Sequence, residues 1–332
     1  VYAPLNTSLG KKTLFYNQPR TMPEALQGLA GVWVQKTDHG GGSPIIRGMI
    51  GYQTLMLVDG IRLNNAVFQS GPVSYLNTVD GMAMEYAGVL PGAASVAYGS
   101  DAMGGVIYMQ SQSATFVDSN KIIAYGRLIG RAATSGMEYI SRGELNLSNK
   151  LWAMHLGVDG KRFGDVHAGK GLGIEHPSGY TEWAGDLKIK RRLGIYTVLT
   201  AAYQGKRQSH IPTYLQMQSG KYEKYEVKNQ ARDLSYISYS YRPEDAIIKY
   251  VEATLSYARL KNTNWRIPKS TGKSSFSTND TRSIGATADL GLQVLPCLTL
   301  KTGVDIYHDK VFSDGSFPDG SKMLTYAVFV EA

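Results

Sequence analysis

The C-terminal two thirds of the chain, from about Lys121 onward, alternates apolar and polar residues with a period of two. In one segment Leu298, Leu300, Val304 and Ile306 share a face, opposite Thr299, Lys301, Asp305 and Tyr307. Such alternation predicts β-strands with one apolar and one polar face. We predict about ten strands, at residues 121–132, 137–148, 150–161, 181–191, 195–205, 232–241, 246–260, 282–295, 298–308 and 323–332.

The connections between these strands alternate in length. Those after the second, fourth, sixth and eighth strands are very short, at Asn149, Leu193–Gly194, Arg242–Asp245 and Pro296. Those after the third, fifth, seventh and ninth are long and polar, at residues 162–180, 206–231, 261–281 and 309–322. This alternation is typical of a transmembrane barrel with short periplasmic turns and long outer loops, whereas a Greek-key sandwich has no reason to keep it. Aromatic residues lie near strand ends, where girdles would be expected, with ordinary packing as the alternative for each one; they include Trp152, Trp183, Tyr196 and Tyr257.

The first third, to about Gln112, has a different pattern. Residues Met22–Leu29 predict a short helix with Pro23 in its first turn. Short strands are predicted at Val32–Val34, Ile45–Ile46 and Thr54–Val58. Gly-rich loops separate them, so this part is expected to form a small α/β globule.

Several blocks of the first third resemble the plug domain of TonB-dependent outer-membrane receptors. They are Met22–Val34, the Ile46-Arg47-Gly48 run, the Leu57–Arg62 block (LVDGIR) and the closing block Ser95–Ile107 (SVAYGSDAMGGVI), in the family's order and spacing. The chain departs from the family before Ser95, where Glu85 is kept but one acid and two arginines are absent. The resemblance implies a small α/β plug inside a large antiparallel transmembrane β-barrel of about 22 strands. Residues 1–112 would form the plug and residues 113–332 an incomplete N-terminal portion of the barrel.

About ten strands cannot form such a barrel alone. A closed barrel of roughly that size has an interior filled by its own side chains, and an open sheet in lipid leaves costly unpaired backbone groups. We therefore expect the chain to be part of a longer receptor, which also has the N-terminal segment that TonB engages.

Composition changes this picture little. The formal charge is +8, but the basic residues are scattered, apart from Lys188, Lys190, Arg191 and Arg192 at a strand end. The one cysteine, Cys297, excludes an intramolecular disulfide and is expected to pack near a turn.

No run approaches the 18 apolar residues of a membrane-spanning helix. No Gly-x-Ser-x-Gly elbow, complete phosphate-binding loop or His-Glu-x-x-His motif occurs, so an enzyme is not expected.

The resemblance also indicates site residues. The plug's upper loops would contact the ligand through His39, Tyr52, Gln53, Phe68, Gln69 and Tyr75, each of which has an ordinary loop role as the alternative. Structural or coupling roles are expected for Arg47, Gly48, Asp59, Gly60, Glu85, Gly99, Gly104 and Gly105. Buried alone, Arg47 and Asp59 would be costly, so we expect each to pair with the other, with Glu85 or with the barrel wall. No permanent cofactor is expected. His39 with His167 or His176 could ligate haem iron, against the alternative of exposed loop histidines without metal.

The implied function is active import of a bulky scarce nutrient, such as a siderophore or haem, across the outer membrane of a Gram-negative bacterium. TonB with its inner-membrane complex would supply the energy, outer-membrane lipids would surround the barrel, and a surface lipoprotein is a further partner to consider; no nucleic acid is expected. The alternative is a surface protein with a static plug that serves adhesion or partner docking.

Overall fold

A computed structural model describes residues 7–331 except 37–38, 69–70, 73, 135–136, 170, 172, 245 and 316. The N-terminal part contains three α-helices and eight strands among its described residues. They are β1 (Thr7–Gly10), α1 (Lys11–Asn17), α2 (Met22–Leu26), β2 (Val32–Gln35), β3 (Ser43–Ile46), β4 (Met49–Ile50), β5 (Thr54–Val58), β6 (Ile61–Arg62), β7 (Met84–Pro91), α3 (Ser95–Tyr98) and β8 (Gly105–Ser111). Short 3₁₀ turns lie at Gly51–Gln53, Ser74–Thr78 and Gly81–Ala83.

The predicted helix and three predicted strands of this part are confirmed. Thr21 caps α2 by accepting a hydrogen bond from the Glu24 backbone, and Pro23 lies in the first turn. One sheet has the order β1-β7-β8-β5-β6, and a second has the order β2-β3-β4. Strand β1 and helix α1 were not predicted, because their residues show no clear alternation.

The remaining residues form mainly one sheet, which we call the wall. Its ten strands, in chain order, are β9 (Ile123–Ala133), β10 (Glu138–Ser148), β11 (Trp152–Phe163), β14 (Tyr180–Arg192), β15 (Thr197–Pro212), β16 (Tyr222–Tyr241), β17 (Ile248–Pro268), β18 (Ser275–Leu295), β19 (Leu298–Ser313) and β20 (Lys322–Glu331). A small hairpin of β12 (Val166–His167) and β13 (Ile174–Glu175) follows β11, and a short helix α4 (Tyr214–Gln218) follows β15.

Every wall strand pairs antiparallel with its sequence neighbour in the sheet, and β9 and β20 are the edges. The predicted strand number is confirmed, but the predicted long connections are too long. Residues 206–212, 222–231 and 261–268 belong to strands, because ladder hydrogen bonds continue beyond the apolar alternation. The connections on that side are reduced to 164–179, 213–221, 269–274 and 314–321. No helix in the described part of the chain has the length and apolar character to cross a membrane.

The core of the N-terminal part is apolar and continues onto the wall. Met22, Leu26, Ile46, Met56 and Ile107 are fully buried. The same cluster includes four wall residues, Ala202, Leu234, Tyr236 and Tyr307. The N-terminal domain therefore packs against one face of the wall, which we call the inner face. Cys297, in contrast, is exposed in the short turn between β18 and β19, so its predicted packing is wrong.

Candidate functional site

The turn between β5 and β6 presents Asp59 to the wall. Asp59 adopts a positive φ of 52° and is followed by Gly60, at φ 82°. One carboxylate oxygen accepts hydrogen bonds from the Ser111 backbone at 2.9 Å and the Lys188 ammonium at 3.2 Å. The other accepts from Ser111 Oγ at 2.6 Å, Gln204 at 2.9 Å and Tyr236 at 3.1 Å. Three neighbouring wall strands therefore converge on a single carboxylate.

The surroundings of Asp59 favour its ionised form. Burial alone would raise the pKa of Asp59, but Lys188 and the hydrogen bonds from Ser111 hold the pKa below its ordinary value. The predicted pairing of Asp59 with the wall is confirmed. For Arg47 the pairing prediction is wrong: the residue is exposed at a turn with φ 52°, and among the described residues it forms no ion pair. The turn faces solvent, so Arg47 needs no counter-ion.

A second plug carboxylate, Asp80, contacts the wall deeper in the interface. Its side chain bonds the Lys161 ammonium and lies 3.5 Å from the Arg142 guanidinium. Burial opposes ionisation, but Lys161, Arg142 and Lys206 hold the pKa of Asp80 well below its usual range. Asp80 also accepts a hydrogen bond from the Met82 backbone, which begins the 3₁₀ turn Gly81–Ala83. The same residue thus shapes the plug and binds the wall.

Asp80 joins a buried ionic network on the inner face of the wall. Arg142, 1% exposed, contacts Glu144 at 2.8 Å, Asp159 at 3.0 Å and Asp186 at 2.8 Å. Glu182 accepts hydrogen bonds from Lys161 at 2.7 Å, Lys206 at 2.9 Å and Gln208 at 2.9 Å. Because isolated buried charges are costly, these residues stabilise the interface only as a set.

Three carboxylates of this network have the spacing of a metal site. Oxygens of Asp80, Asp159 and Glu182 lie within 4.8 Å of one another. The Lys161 ammonium bonds all three, at 3.3 Å for Asp159 and 2.7 Å for Glu182. The Lys161 ammonium therefore occupies the place between the three carboxylates that a metal ion would take.

The three histidines considered for haem lie in different environments. His39 is half-buried, with its ring edge-on to Phe163 at 5.6 Å and Tyr180 at 5.8 Å. Burial and the nearby Arg20 and Lys36 lower the pKa of His39 to about 4, so the ring is neutral. His176 is exposed and contacts Asp165 at 2.6 Å, and His167 is exposed in β12. Among the described residues, none of the three joins a cluster of metal-ligating side chains.

The other predicted ligand residues form one pair and two single positions. Phe68 and Tyr75 contact each other with ring centroids 5.0 Å apart, and burial raises the pKa of Tyr75 to about 12. Tyr52 is 44% exposed in the 3₁₀ turn Gly51–Gln53. The Gln53 carbonyl accepts a hydrogen bond from the Gly104 backbone. Gln69 lies outside the described residues.

Two glycines of the closing block are required by close approach. A Cβ on Gly105 would lie 2.5 Å from the Leu90 carbonyl, and one on Gly104 would lie 2.6 Å from the Met49 Cβ. Both neighbours belong to the plug, so these glycines allow its strands and turns to pack. Gly48 and Gly99 have positive φ angles of 79° and 91°. Glu85 is half-buried in β7.

A cavity of about 510 Å³ lies between the plug and the wall beside the Asp59 turn. Arg62 and Tyr98 line it from the plug, and Lys190, Arg242 and Asp289 line it from the wall. Arg242 directly follows the last residue of β16, so the cavity lies at the end of the wall that has the short connections. The space adjoins the Asp59 contacts, so displacement of that turn would widen it.

The sequence analysis missed Asp80 and every wall residue of the ionic network. A signal was present, since charged residues recur at even spacings along the strands, as in Arg142 with Glu144, Asp159 with Lys161, and Glu182 with Asp186 and Lys188. This spacing places them on one face. A charged face opposite an apolar one predicts the inner side of a filled barrel.

A small α/β domain docked by buried polar contacts on the inner face of an antiparallel wall defines the plug-and-barrel class. Residues 6–106 match the family described as TonB-dependent Receptor Plug Domain. This N-terminal region therefore belongs to the TonB-dependent receptor plug family, and its motifs were identified correctly.

Known proteins agree with this assignment. The vitamin B12 transporter BtuB of Vibrio cholerae is 33% identical over 146 residues, covering 40% of this chain and 22% of that protein. The solved copper transporter OprC has a TM-score of 0.79 at 18% identity, covering 99% of this chain and 51% of OprC. The hemophore receptor HasR of Serratia marcescens has a TM-score of 0.72 at 19% identity, over 94% of this chain and 46% of HasR. The chain thus shares the TonB-dependent receptor fold and spans about half the length of these solved receptors.

Proposed function

We propose that the chain is part of an outer-membrane active transporter of a Gram-negative bacterium, which imports a bulky scarce nutrient with energy delivered by TonB. In this proposal residues 1–112 are the plug and residues 113–332 are the N-terminal portion of the barrel. The relatives described above are named as transporters or receptors rather than as enzymes, and this supports an importer.

The observation that carries the proposal is the polar attachment of the plug. Asp59 and Asp80 are held by Lys188, Lys161 and Arg142 of the wall. Removing one member of a buried ion pair typically costs about 3–5 kcal/mol, so thermal motion alone would rarely release the plug. Hydrogen bonds and ion pairs can nevertheless be exchanged for water once the interface opens. An attachment of this kind suits a plug that moves only when work is done on it.

The nutrient class proposed is an iron chelate such as a siderophore or haem. The exposed Tyr52 and the Phe68–Tyr75 ring pair on the plug support this class of nutrient, because aromatic groups suit a bulky organic ligand. The relatives carry different cargoes by name: vitamin B12, copper and a hemophore with haem. A haem absorption spectrum of the purified full-length protein, compared with His39→Ala, tests one of these cargoes. An unchanged spectrum in the variant would remove His39 as a ligand.

The function is tested by uptake in cells that express the full-length protein and lack other receptors. Labelled ferric catecholate siderophore, haem and cobalamin are supplied to cells with and without TonB. We expect one ligand to accumulate only in energised cells that have TonB. Uptake that persists without TonB would overturn the proposal, and no uptake of any ligand would favour the static-plug alternative.

A reversible disulfide between the plug and the wall would distinguish transport that needs plug movement from ligand binding that does not. A Cβ on Gly40 would contact the Ile211 side chain of the wall, 3.0 Å from its Cγ2, so cysteines at these two positions are neighbours and candidates for a disulfide. Gly40→Cys with Ile211→Cys should bind ligand but stop uptake when oxidised, and regain uptake after reduction. Ile211→Cys alone is the matched control and should transport in both states.

A further inference from the structure

The outward face of the wall is apolar over most of its height. Register partners on β16 to β20 form rows across the sheet, two of which are Ile237, Leu255, Ala286, Ile306, Tyr326 and Tyr239, Ala253, Ala288, Val304, Val328. Leu255, Ile284, Tyr326 and Val328 are 61–76% exposed. Their side chains point away from the plug, as a lipid-facing belt requires.

A cationic row lies directly above this belt. Arg259 pairs with Arg282, Arg282 with Lys310, and Lys310 with Lys322, so four adjacent strands present a cation in one row across the sheet. Neighbouring strands are about 4.8 Å apart, and like charges directly opposite one another are destabilising. The row lies toward the connections 269–274 and 314–321, which is the side opposite Cys297.

Carboxylates within the wall neutralise only part of this charge. Asp280 binds Arg259 at 2.6 Å and Arg282 at 3.3 Å, and Asp233 binds Arg207 at 2.7 Å. Among the described residues, neither Lys310 nor Lys322 forms an ion pair. Lys261, opposite Asp280 in the adjacent row, likewise forms no ion pair among the described residues. Three of the six cations on this surface are therefore not ion-paired; the six are Arg207, Arg259, Lys261, Arg282, Lys310 and Lys322.

The cations are also held in position. The Arg282 guanidinium and the Lys310 ammonium each lie 4.7 Å from the centre of the Phe312 ring. Cation–π contact of this kind fixes a long side chain without neutralising it. Beside them lies a groove of about 290 Å³, whose charged lining residues are Arg207, Arg259, Lys261 and Asp233, the ion-pair partner of Arg207. The cations of this surface are therefore held in place and only partly neutralised.

We propose that the cationic row and its groove bind the phosphate groups of a lipid headgroup, specifically a phosphorylated glycolipid of the outer leaflet. The inference rests on the proposed outer-membrane placement. It follows from two features on the same face: an apolar belt that places lipid chains beside the wall, and an excess of cations at the belt's upper edge, where headgroups lie. Arginine and lysine near a membrane surface attract anionic headgroups, and phosphate accepts several charge-assisted hydrogen bonds at once. A soluble anion on its way to the plug would meet the inner face of the wall, not this one.

The experiment uses full-length protein in phosphatidylcholine nanodiscs that contain a small fraction of diphosphoryl lipid A. Bound glycolipid is measured by native mass spectrometry across a concentration series. We expect Arg282→Gln with Lys310→Gln to weaken binding by about tenfold or more, since each basic residue at a membrane surface contributes about a factor of five. The matched control is Lys269→Gln with Lys273→Gln, which removes the same charge from the exposed connection 269–274 and should bind as the unmodified protein does.

Three outcomes would overturn the inference. They are equal binding by the row variant and the control, equal binding of glycolipid from which the phosphates have been removed, and full competition by millimolar inorganic phosphate, which would indicate a site for free anions. Heat-modifiable migration on gels reports separately whether each variant has folded and inserted. Failure of the unmodified protein to insert would instead contradict the outer-membrane placement, and TonB-dependent uptake is not needed for any arm.

Discussion

At the scale of single residues, position rather than residue type decides what each charged group does. Arg47 and Asp59 both adopt φ 52° at turns of the plug. Arg47 is exposed, whereas Asp59 is buried beneath three wall strands. The plug motif predicted both turns, but which of them faces the wall depends on how the domain sits in the barrel.

His39 gives the plug a pH dependence whose sign is fixed by its surroundings. Its folded pKa of about 4 lies below the ordinary value of 6.5, so the unfolded plug binds the proton more readily. The contribution of His39 to plug stability is complete above pH 6.5 and is lost as the pH falls from about 6.5 to about 4. We expect a loss of about 1 kcal/mol at pH 5, after discounting for solvent around a half-buried ring. The measurement is hydrogen exchange of residues 22–46 at pH 7 and pH 5.

His39→Gln is the control, because it keeps a polar side chain without a titratable ring. The variant should lose less protection between the two pH values than the unmodified protein. Identical losses in both proteins would show that His39 does not carry the effect.

At the scale of elements, the number and order of the wall strands were predictable, and their lengths were not. Period-two alternation locates a strand only where one face meets lipid. Beyond the belt, residues such as Lys224, Trp265 and Phe276 are polar or aromatic without alternation, yet their backbones stay in the ladder. Ligand contact was predicted for Tyr52, Phe68 and Tyr75 from their positions relative to the plug motifs. The sequence does not specify the loop conformations that decide whether these side chains face a ligand.

The extension of β17 and β18 above the belt predicts which connections reach the cell surface. A short epitope inserted after Gly272, in connection 269–274, should bind antibody on intact cells. The same epitope after Gly194, in the short connection between β14 and β15, should bind only after the outer membrane is permeabilised. Both insertions lie in exposed turns, which tolerate added residues. Labelling of the Gly194 insertion on intact cells would reverse the assigned orientation of the wall.

At the scale of the whole molecule, two sets of ionic contacts join the plug to the wall. The plug contributes Asp59 and Asp80, and the wall contributes Lys188, Lys161 and Arg142. Around Lys161 and Arg142 the wall carries its own carboxylates, so plug and wall residues form one network there. The plug is consequently a member of the network and not simply a body held within the barrel.

Removing Lys161 should expose this dependence. Lys161→Met leaves the carboxylates of Asp80, Asp159 and Glu182 within 4.8 Å without their ammonium, and we expect a loss of about 3–5 kcal/mol in unfolding free energy. Urea unfolding of the full-length protein in detergent measures it. The double variant Asp80→Asn with Lys161→Met should be less damaged than Lys161→Met alone, and added Ca²⁺ should stabilise only the single variant. Additive losses and no response to Ca²⁺ would show that the three carboxylates do not act together.

The exposed turn at Cys297 offers a route to watching the plug in motion. Cys297 is the one thiol in the chain, and it lies at the end of the wall opposite the cationic row. A nitroxide attached there, with a second at an introduced cysteine on the plug, converts the gap between the two domains into a spin–spin distance. If the plug stays in place, the distance distribution has one narrow peak. If the plug is displaced, a second peak appears at longer distance, and its area gives the fraction of molecules whose plug has moved.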